Sequence, residues 1–332
     1  MRVCLLGGTR FIGRAVAQHL ISSGHELLIV HRGHTEPTDL PAARHVHVDR
    51  AALADAKDSL TAFDPEAIVD TYAMTAAHAS AALTVLDKGL PTVVLSSMDV
   101  YRAYGALLAG RQTDPVPLTE RSPLRPHRYP YRGQPVPGAD FDTDQYEKLD
   151  VEERYLAAGA TVLRLGFVYG EHDPQRREEF ILRRVRAGRT RIPFGPGSWI
   201  VSRTYAADVG PAVEQALARP TARGEVFNIC EAQSPTIQLW AQDILSAASS
   251  TAELVRVPDE HLPPDLAVTA AQQPLLATPA KAQHLLGWTE TDPATALTQS
   301  VQWHLANSPA DASQDFTADD RALQRAAAST TN

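Results

Sequence analysis

Three glycines near the start of the chain are spaced to bind phosphate. Gly7, Gly8 and Gly13 lie in "CLLGGTRFIGRAV", between an apolar, strand-like run and an amphipathic, helix-like run. Glycines in so tight a turn remove the side chains that would block a ligand, so the first amides of the helix can face a pyrophosphate. The pattern predicts a dinucleotide site. The residues that we expect to contact the dinucleotide here are Gly7, Gly8, Thr9, Arg10, Phe11, Ile12 and Gly13.

The end of the second apolar run bears on which dinucleotide is bound. It reads "LLIVHRGHT", and a site for NAD usually carries an acid there that accepts from the adenosine ribose 2′-hydroxyl. His31 holds that position and Arg32 follows, so a 2′-phosphate would meet cations. The sequence therefore favours NADP, with NAD as the second choice. The alternative for Arg32 is a solvated loop arginine.

A tyrosine and a lysine lie close together in residues 142–153, "DTDQYEKLDVEE". Asp144, with Glu147 three residues on, is typical of a helix N-cap and capping box. In a regular helix Tyr146 and Lys148 would be about 200° apart, so their side chains can meet only if the first turn is irregular. Lys148 could also be an exposed helix lysine that pairs with Glu152 one turn on.

The elements that must position these residues alternate between apolar runs and helix-periodic stretches, which predicts an α/β doubly wound parallel sheet. The predicted strands are "RVCLL", "ELLIV", "HVHV", "AIVD", "TVVLSS", "TVLRL" and "VFNIC", and the predicted helices cover 11–22, 52–62, 74–88, 144–158 and 177–187. We expect a dinucleotide-binding domain at 1–165 with a long loop at 102–141, a mixed region at 166–306 that is mostly a substrate lobe, and a flexible tail at 307–332.

Composition excludes several classes of protein. The net charge of −8 over 332 residues argues against a nucleic-acid partner. No apolar run approaches the roughly 18 to 20 residues of a bilayer span, so we expect no membrane partner and a cytoplasmic protein. Cys4 and Cys230 lie in apolar runs and are predicted to be reduced core thiols. His45 and His47 face one side of a strand, but the sequence places no third ligand beside them, so we predict no metal site.

Several short motifs are carried together: "GGTRFIG", "VDR" at 48–50, "LSSMDVY" at 95–101, "KLDVEE" at 148–153, "VLRLGFVYG" at 162–170, "YAADV" at 205–209, "FNIC" at 227–230 and "LLGW" at 285–288. With them the chain resembles the extended short-chain dehydrogenase/reductase superfamily, in particular its NAD-dependent epimerase/dehydratase branch, up to about residue 306. The resemblance implies a Rossmann fold with a smaller C-terminal substrate lobe, a nicotinamide cofactor, a Ser/Thr-Tyr-Lys catalytic set, a small-molecule substrate and, by analogy, a homodimer.

The resemblance also assigns roles to individual positions. Ser97 matches the serine that hydrogen-bonds the reacting oxygen, and Lys148 matches the lysine that holds the nicotinamide ribose, a task that suits a compact ammonium. Asp49 matches an acid that contacts adenine. The cofactor residues predicted beyond the glycine turn are His31, Arg32, Asp49, Arg50, Tyr72, Ala73, Met74, Ser96, Lys148, Leu165 and Phe167. The predicted substrate residues are Met98, Asp99, Arg183, Arg191, Trp199 and Arg203.

The chain departs from the family pattern at the catalytic tyrosine. That residue belongs four positions before the lysine, where this sequence has Asp144. Three hypotheses follow. In the first, Tyr146 replaces the missing tyrosine in a reductase or dehydrogenase. In the second, Asp144 or Tyr101 acts as the acid/base, and a carboxylate in that role needs burial to raise its pKa. In the third, the cofactor is retained in a redox-neutral epimerase, dehydratase, lyase or cyclase. A cofactor-binding protein without turnover is a further alternative.

The substrate is expected to be a small, non-nucleotide metabolite, with secondary metabolism as one source. Family arginines that hold a nucleotide-sugar diphosphate would fall at Val201 and near Ala267 and Val268, none of which is a cation. Arg183, Arg191 and Arg203 could compensate, or could form a solvated face. The sequence therefore favours an NADP(H)-dependent oxidoreductase of the extended short-chain dehydrogenase type.

Overall fold

Residues 1–38, 40, 43–85, 89–134, 136, 141–310 and 314–330 are described by the structure, a computed structural model. The strands are β1 (Arg2–Leu6), β2 (Glu26–His31), β3 (Arg44–His47), β4 (Ala67–Asp70), β5 (Thr92–Ser97), β6 (Thr161–Leu165), β7 (Phe167–Tyr169), β8 (Arg191–Phe194), β9 (Arg203–Tyr205), β10 (Val226–Ile229) and β11 (Glu253–Arg256). The helices are α1 (Phe11–Ser22), α2 (Lys57–Phe63), α3 (Ala76–Val85), α4 (Arg102–Leu108), α5 (Lys148–Ala157), α6 (Glu179–Arg186), α7 (Val209–Ala218), α8 (Ile237–Ala247), α9 (Ala280–Leu286), α10 (Pro293–Ala306) and α11 (Thr317–Thr330).

Seven of these strands form one parallel sheet in the order β10-β6-β5-β4-β1-β2-β3. The chain runs outward from β1 to β3, then returns to β4 on the other side of β1, which is the order of a doubly wound Rossmann sheet. The predicted α/β fold is confirmed. In such a sheet a ligand binds beyond the carboxyl ends of the strands, at the point between β1 and β4 where the order reverses.

The central strand shows why this sheet forms. Val3 and Leu5 pack into the core cluster on one face of the sheet, and Cys4 and Leu6 pack into the cluster on the other. All four are at most 1% exposed, so alternate residues of one continuous apolar run are buried by helices on both sides. Burial of each valine or leucine side chain stabilises the fold by about 1.5 to 3 kcal/mol. The carboxyl end of β1 is therefore a rigid base for the glycine turn that follows it.

A third cluster lies in the C-terminal part of the chain. It contains the residues of two small parallel pairs, β7 with β9 and β8 with β11, together with α8 and α10. The tail differs from the prediction of a flexible segment, because residues 317–330 form α11. Asp319 of α11 and Arg184 of α6 are both buried and form an ion pair at 2.6 Å. No described helix is long and apolar enough to cross a membrane.

Three predicted boundaries were wrong. The helix predicted at 144–158 begins at Lys148, the loop predicted at 102–141 opens with α4, and the helix predicted at 52–62 is a 3-10 stretch, Arg50–Ala56, followed by α2. The end of the helix predicted at 74–88 and parts of the long loop, 135 and 137–140, lie outside the described residues. The first of these differences decides the geometry of the candidate site.

Candidate active site

A cavity of about 940 Å³ opens beyond the carboxyl ends of β1, β2, β4 and β5. The glycine turn forms one wall. A Cβ on Gly7, whose φ is +97°, would lie 2.3 Å from Thr71 Oγ1, and a Cβ on Gly13 would lie 2.7 Å from the amide nitrogen of Gly8. These positions have no room for a side chain, as a phosphate-binding turn requires. The predicted cofactor residues that line the cavity are Gly7, Gly8, Thr9, Arg10, Phe11, Ile12, Gly13, His31, Arg32, Asp49, Arg50, Tyr72, Met74, Ser96, Lys148 and Leu165.

Three predicted cofactor residues behave differently from the prediction. Ala73 does not line the cavity, although its carbonyl oxygen holds a lysine that does. Phe167 lines a separate, smaller cavity. Arg50 lines the main cavity, but its guanidinium forms a bidentate contact with the fully buried Asp70. Its charge therefore balances Asp70, whose pKa it holds down against the effect of burial.

Lys148 is the first residue of α5, and its side chain is only 4% exposed. Its Nζ donates hydrogen bonds to the carbonyl oxygens of Ala73 at 2.7 Å and Leu95 at 3.0 Å. Burial lowers the pKa of Lys148 to about 8, and nearby Asp99 opposes this effect. The alternative pairing with Glu152 was wrong, because Glu152 is buried in an ion pair with Arg164. The ammonium is thus fixed at the cavity wall by two backbone oxygens.

Tyr146 enters the same cavity. Its hydroxyl donates to Asp99 Oδ2 at 2.7 Å, and the hydroxyl of Tyr131 donates to the same oxygen at 3.2 Å. The hydroxyls of Tyr104 and Tyr131 are 2.9 Å apart, which extends the chain of hydrogen bonds. Asp99 Oδ1 is buried with no hydrogen-bond partner among the described residues. Tyr146, Asp99, Tyr131 and the predicted Ser97 all line the cavity.

Burial sets the protonation of Tyr146 and Asp99. It raises the pKa of Tyr146 well above its ordinary value, and the neighbouring Asp99 raises it further, while a hydrogen bond with Ser97 acts in the opposite direction. Burial also raises the pKa of Asp99, although the charges of Arg125 and Lys148 oppose it. Tyr146 therefore holds its proton and can donate it, and Asp99 is the carboxylate placed to accept one.

The start of α5 explains how Tyr146 reaches the cavity. Glu147, not Asp144, is the N-cap, and its side chain accepts from the amide of Leu149 at 2.9 Å. The buried Glu147 also pairs with Arg125 at 3.0 Å, and its own amide donates to the carbonyl of Met74. Its backbone is extended, with φ −155° and ψ 100°. Tyr146 consequently precedes the helix, and the angular argument against its meeting Lys148 does not apply.

The other two acid/base candidates lie outside the cavity. Asp144 is exposed, and its carboxylate accepts from the amide of Gly133 at 2.7 Å. It therefore lacks the burial that a general base at this position would need. Tyr101 is fully buried, and its hydroxyl donates to Asn228 Oδ1 at 2.6 Å. Burial raises the pKa of Tyr101 to about 12. Neither residue lines the cavity, so the structure does not support the second hypothesis.

The sequence suggested two cations at the end of β2, and the structure supports only one of them, Arg32. His31 is buried, and burial together with the neighbouring His45 and His47 lowers its pKa. His31 is therefore neutral near pH 7 and does not supply the charge that the sequence suggested. Arg32 is exposed, lines the cavity, and lies 5.9 Å from the centre of the Tyr72 ring. It is the residue placed to meet an anion at this end of the cavity.

The predicted substrate residues divide into three sets. Asp99 lines the main cavity, and Trp199 and Arg203 line a second cavity of about 80 Å³. Arg183 pairs with Asp265 at 2.8 Å and with Asp319 of α11 at 3.7 Å, so it helps to hold α11. Met98 and Arg191, like Arg183, line neither cavity. Sequence reasoning missed Arg177, which lines both cavities.

Arg203 and Arg177 are the cations of the smaller cavity. Arg203 is 2% exposed, and its guanidinium lies 4.2 Å from the centre of the Trp240 ring. Its Nη2 and the Nε of Arg177 are buried and have no hydrogen-bond partner among the described residues. Burial lowers the pKa of Arg203 to about 10, although nearby Glu231 opposes this. Arg203 therefore stays charged at neutral pH inside an aromatic wall.

Known proteins resemble this chain in sequence over its N-terminal part and in fold over most of its length. Residues 3–104 match the sequence profile of the NAD dependent epimerase/dehydratase family. A UDP-glucose 4-epimerase of Thermotoga maritima, solved with UDP-glucose, is 18% identical with a TM-score of 0.67 over 93% of this chain and 100% of that one. A dTDP-glucose 4,6-dehydratase of Bacillus anthracis, solved with NAD, is 16% identical with a TM-score of 0.68 over 92% and 97% of the two chains.

The likeness to these solved structures, with the glycine turn after β1, shows a Rossmann-type α/β fold. Over residues 3–104 the chain is thus similar to the NAD dependent epimerase/dehydratase family. Among curated proteins it is similar to a chloroplast stem-loop binding protein of 41 kDa, form b, of Arabidopsis thaliana. The two are 24% identical over 98% of this chain and 84% of the relative.

Proposed function

We propose that this protein is an NADP(H)-dependent oxidoreductase that reduces the carbonyl group of a small, anionic, non-nucleotide metabolite, and oxidises the alcohol in reverse. The observation that carries the proposal is the position of Tyr146, whose hydroxyl lies in the cavity beside Ser97 and on Asp99. Tyr146 supplies an acid/base hydroxyl in a site where Asp144 stands at the position of the family's catalytic tyrosine.

The proposed step moves one hydride and one proton. A reduced nicotinamide bound in the main cavity would supply the hydride for the carbonyl carbon. Tyr146 would then give its proton to the carbonyl oxygen, which Ser97 would hydrogen-bond. Asp99, when protonated, returns a proton to the tyrosine oxygen across their 2.7 Å contact. Its pKa is raised by burial, so it can take up that proton from solvent nearer to neutrality than an ordinary aspartate. In the oxidation direction, Asp99 accepts the proton that Tyr146 removes from the alcohol.

The preference for NADP rests on Arg32. Its exposed guanidinium lines the cavity after β2, where a site for NAD would carry an acid. Because the neighbouring His31 is neutral, we expect Arg32→Gln to weaken NADPH binding while NADH binding changes little. Titration of protein fluorescence with each nucleotide measures the two affinities. Equal loss for both nucleotides would remove the basis for the NADP preference.

The substrate class rests on the smaller cavity. Arg177 borders both cavities, and the buried guanidinium of Arg203 faces aromatic walls formed by Trp199 and Trp240. A buried cation with an unpartnered nitrogen is best satisfied by an anionic group, since charge-assisted hydrogen bonds are the strong ones. About 80 Å³ admits a carboxylate and little more, and a nucleotide diphosphate would not fit.

The test is NADPH oxidation with a panel of small oxo acids and their neutral amides. We expect turnover with at least one oxo acid and none with its amide. Tyr146→Phe should lower kcat by about 10²- to 10⁴-fold, the usual contribution of a general acid, while NADPH binding stays within about twofold. Arg203→Met should raise KM for the acid with a smaller effect on kcat. Full activity of Tyr146→Phe would refute the assignment.

The carboxylate of Asp99 also favours a second candidate function. A buried base beside the expected nicotinamide position can remove a proton from carbon after a transient oxidation, which is the chemistry of a redox-neutral epimerase or dehydratase. In that case the nucleotide stays bound and is unchanged after turnover. Purified protein that retains NADP⁺ and converts substrate without net NADPH consumption would support this candidate over the first.

A further inference from the structure

Three imidazoles and one carboxylate converge at the outer edge of the main sheet. His31 ends β2, His45 and His47 lie on the neighbouring edge strand β3, and Glu36 lies in the segment that joins the two strands. His45 and His47 are two residues apart on a strand, so they share one face. Each of the four offers one ligand atom, and these atoms all lie within 4.8 Å of one another. The sequence alone predicts only that His45 and His47 share a face.

The spacing of the four atoms matches a small tetrahedral site. His31 Nε2 is 2.9 Å from His45 Nδ1 and 3.5 Å from Glu36 Oε1, and His45 Nδ1 is 3.9 Å from the same oxygen. His47 Nε2 is in direct contact with Glu36 Oε1. Zinc with bonds of 2.0 to 2.1 Å holds its tetrahedral ligand atoms about 3.3 Å apart. The donor atoms therefore need to move little to surround one ion.

We propose that His31, Glu36, His45 and His47 bind one Zn²⁺ ion as a structural site. Imidazole nitrogen with a single carboxylate oxygen suits zinc better than Mg²⁺ or Ca²⁺, which prefer all-oxygen sites. Four protein ligands leave no open position, so the ion ties elements together and takes no part in chemistry. It joins the edge strand β3 to the segment after β2, which borders the nucleotide end of the main cavity.

Hydrogen bonds among the same residues are the metal-free alternative. The amide of Gly33 donates to His31 Nδ1 at 3.1 Å, so the neutral ring carries its proton on Nε2 and directs it toward His45. Coordination through Nε2 moves that proton to Nδ1, and the amide of Gly33 must then turn away. Glycine at φ +78° tolerates such a change better than other residues.

The test is calorimetric titration of the full chain, stripped of metal with a chelator, with Zn²⁺ and with Mg²⁺. We expect one equivalent of Zn²⁺ per chain and no competition by Mg²⁺. Substitution by Co²⁺ should give the intense visible absorption of a tetrahedral ion. His45→Ala, His47→Ala and Glu36→Gln should each weaken Zn²⁺ binding by at least the roughly 10- to 100-fold that loss of an outer-shell partner causes.

His284→Gln is the matched control, because this histidine is exposed on α9, away from the four ligands. It should bind Zn²⁺ as the parent does. Failure to bind a stoichiometric ion, or equal affinity in the β3 variants and the parent, overturns the proposal and leaves the hydrogen-bond network as the full account of the cluster. Binding of NADPH is measured in parallel, so that failure of the zinc site is distinguished from failure of the proposed function.

Discussion

Replacement of Lys148 by methionine should change how stability depends on pH. In the native state burial lowers the pKa of this lysine from 10.5 to about 8. Between these values the unfolded chain binds the proton and the native state has lost it, so the free energy of unfolding contributed by Lys148 rises with pH. The full change in the free energy of unfolding is about 3 kcal/mol, because each unit of pKa shift corresponds to about 1.36 kcal/mol. About 2 kcal/mol of it falls between pH 8 and pH 10.

The assay is urea unfolding followed by tryptophan fluorescence at pH 8 and pH 10. Buried tyrosines and cysteines titrate in both proteins, so the informative quantity is the parent's free energy of unfolding minus that of Lys148→Met. That difference should rise by about 2 kcal/mol from pH 8 to pH 10. Lys281→Met is the control, since its ammonium pairs with Glu225 nearer the surface, at 27% exposure. Parallel pH profiles for the parent and Lys148→Met would refute the argument that this lysine is buried as an ammonium.

Two further predictions compare matched positions. Gly7→Ala adds a Cβ 2.3 Å from the Thr71 hydroxyl and should abolish NADPH binding, measured by fluorescence. Gly24 is also at positive φ but faces open space, so Gly24→Ala should lower the free energy of unfolding by about 1 to 2 kcal/mol and leave NADPH binding unchanged. Asp319→Asn breaks a buried ion pair and should destabilise the protein to urea by about 3 kcal/mol, the lower end of the usual range, because Arg184 keeps its pair with Asp265. Asp320→Asn, whose pair with Arg189 is half-exposed, should cost at most about 1 kcal/mol. Similar losses within either pair of variants would contradict these assignments.

The sheet and its glycine turn could be predicted because their signals are local. Val3 to Leu6 form one apolar run that needs cover on both faces, and the glycines follow it directly. The small strands of the C-terminal part, such as β7 and β9, are only three residues long and give no periodic signal. They form because neighbouring parts of the third core cluster bury them, and that information is spread over the whole chain.

The parts of the site that were missed depend on contacts between distant residues. Glu147 caps α5 and pairs with Arg125, 22 residues earlier, and no spacing rule connects the two. The order of α11 similarly depends on Arg184, 135 residues before Asp319. Among His31, Glu36, His45 and His47, the pairing of β2 with β3 brings together histidines that are 14 and 16 positions apart in the chain. In each case the partner of a charged or polar residue lies too far along the chain for a spacing rule to reveal it.

The spacing of Tyr146 and Lys148 shows how one boundary can reverse a conclusion. In a helix, residues two apart point to opposite sides, but in extended backbone they point to the same side. Because Glu147 is extended and caps the helix, Tyr146 and Lys148 both enter the cavity. The double variant Asp144→Tyr/Tyr146→Phe rebuilds the family spacing in the sequence, yet residue 144 is exposed and lies outside α5. We therefore expect it to oxidise NADPH no faster than Tyr146→Phe alone, and recovery of the parent rate would show that α5 begins earlier than the structure places it.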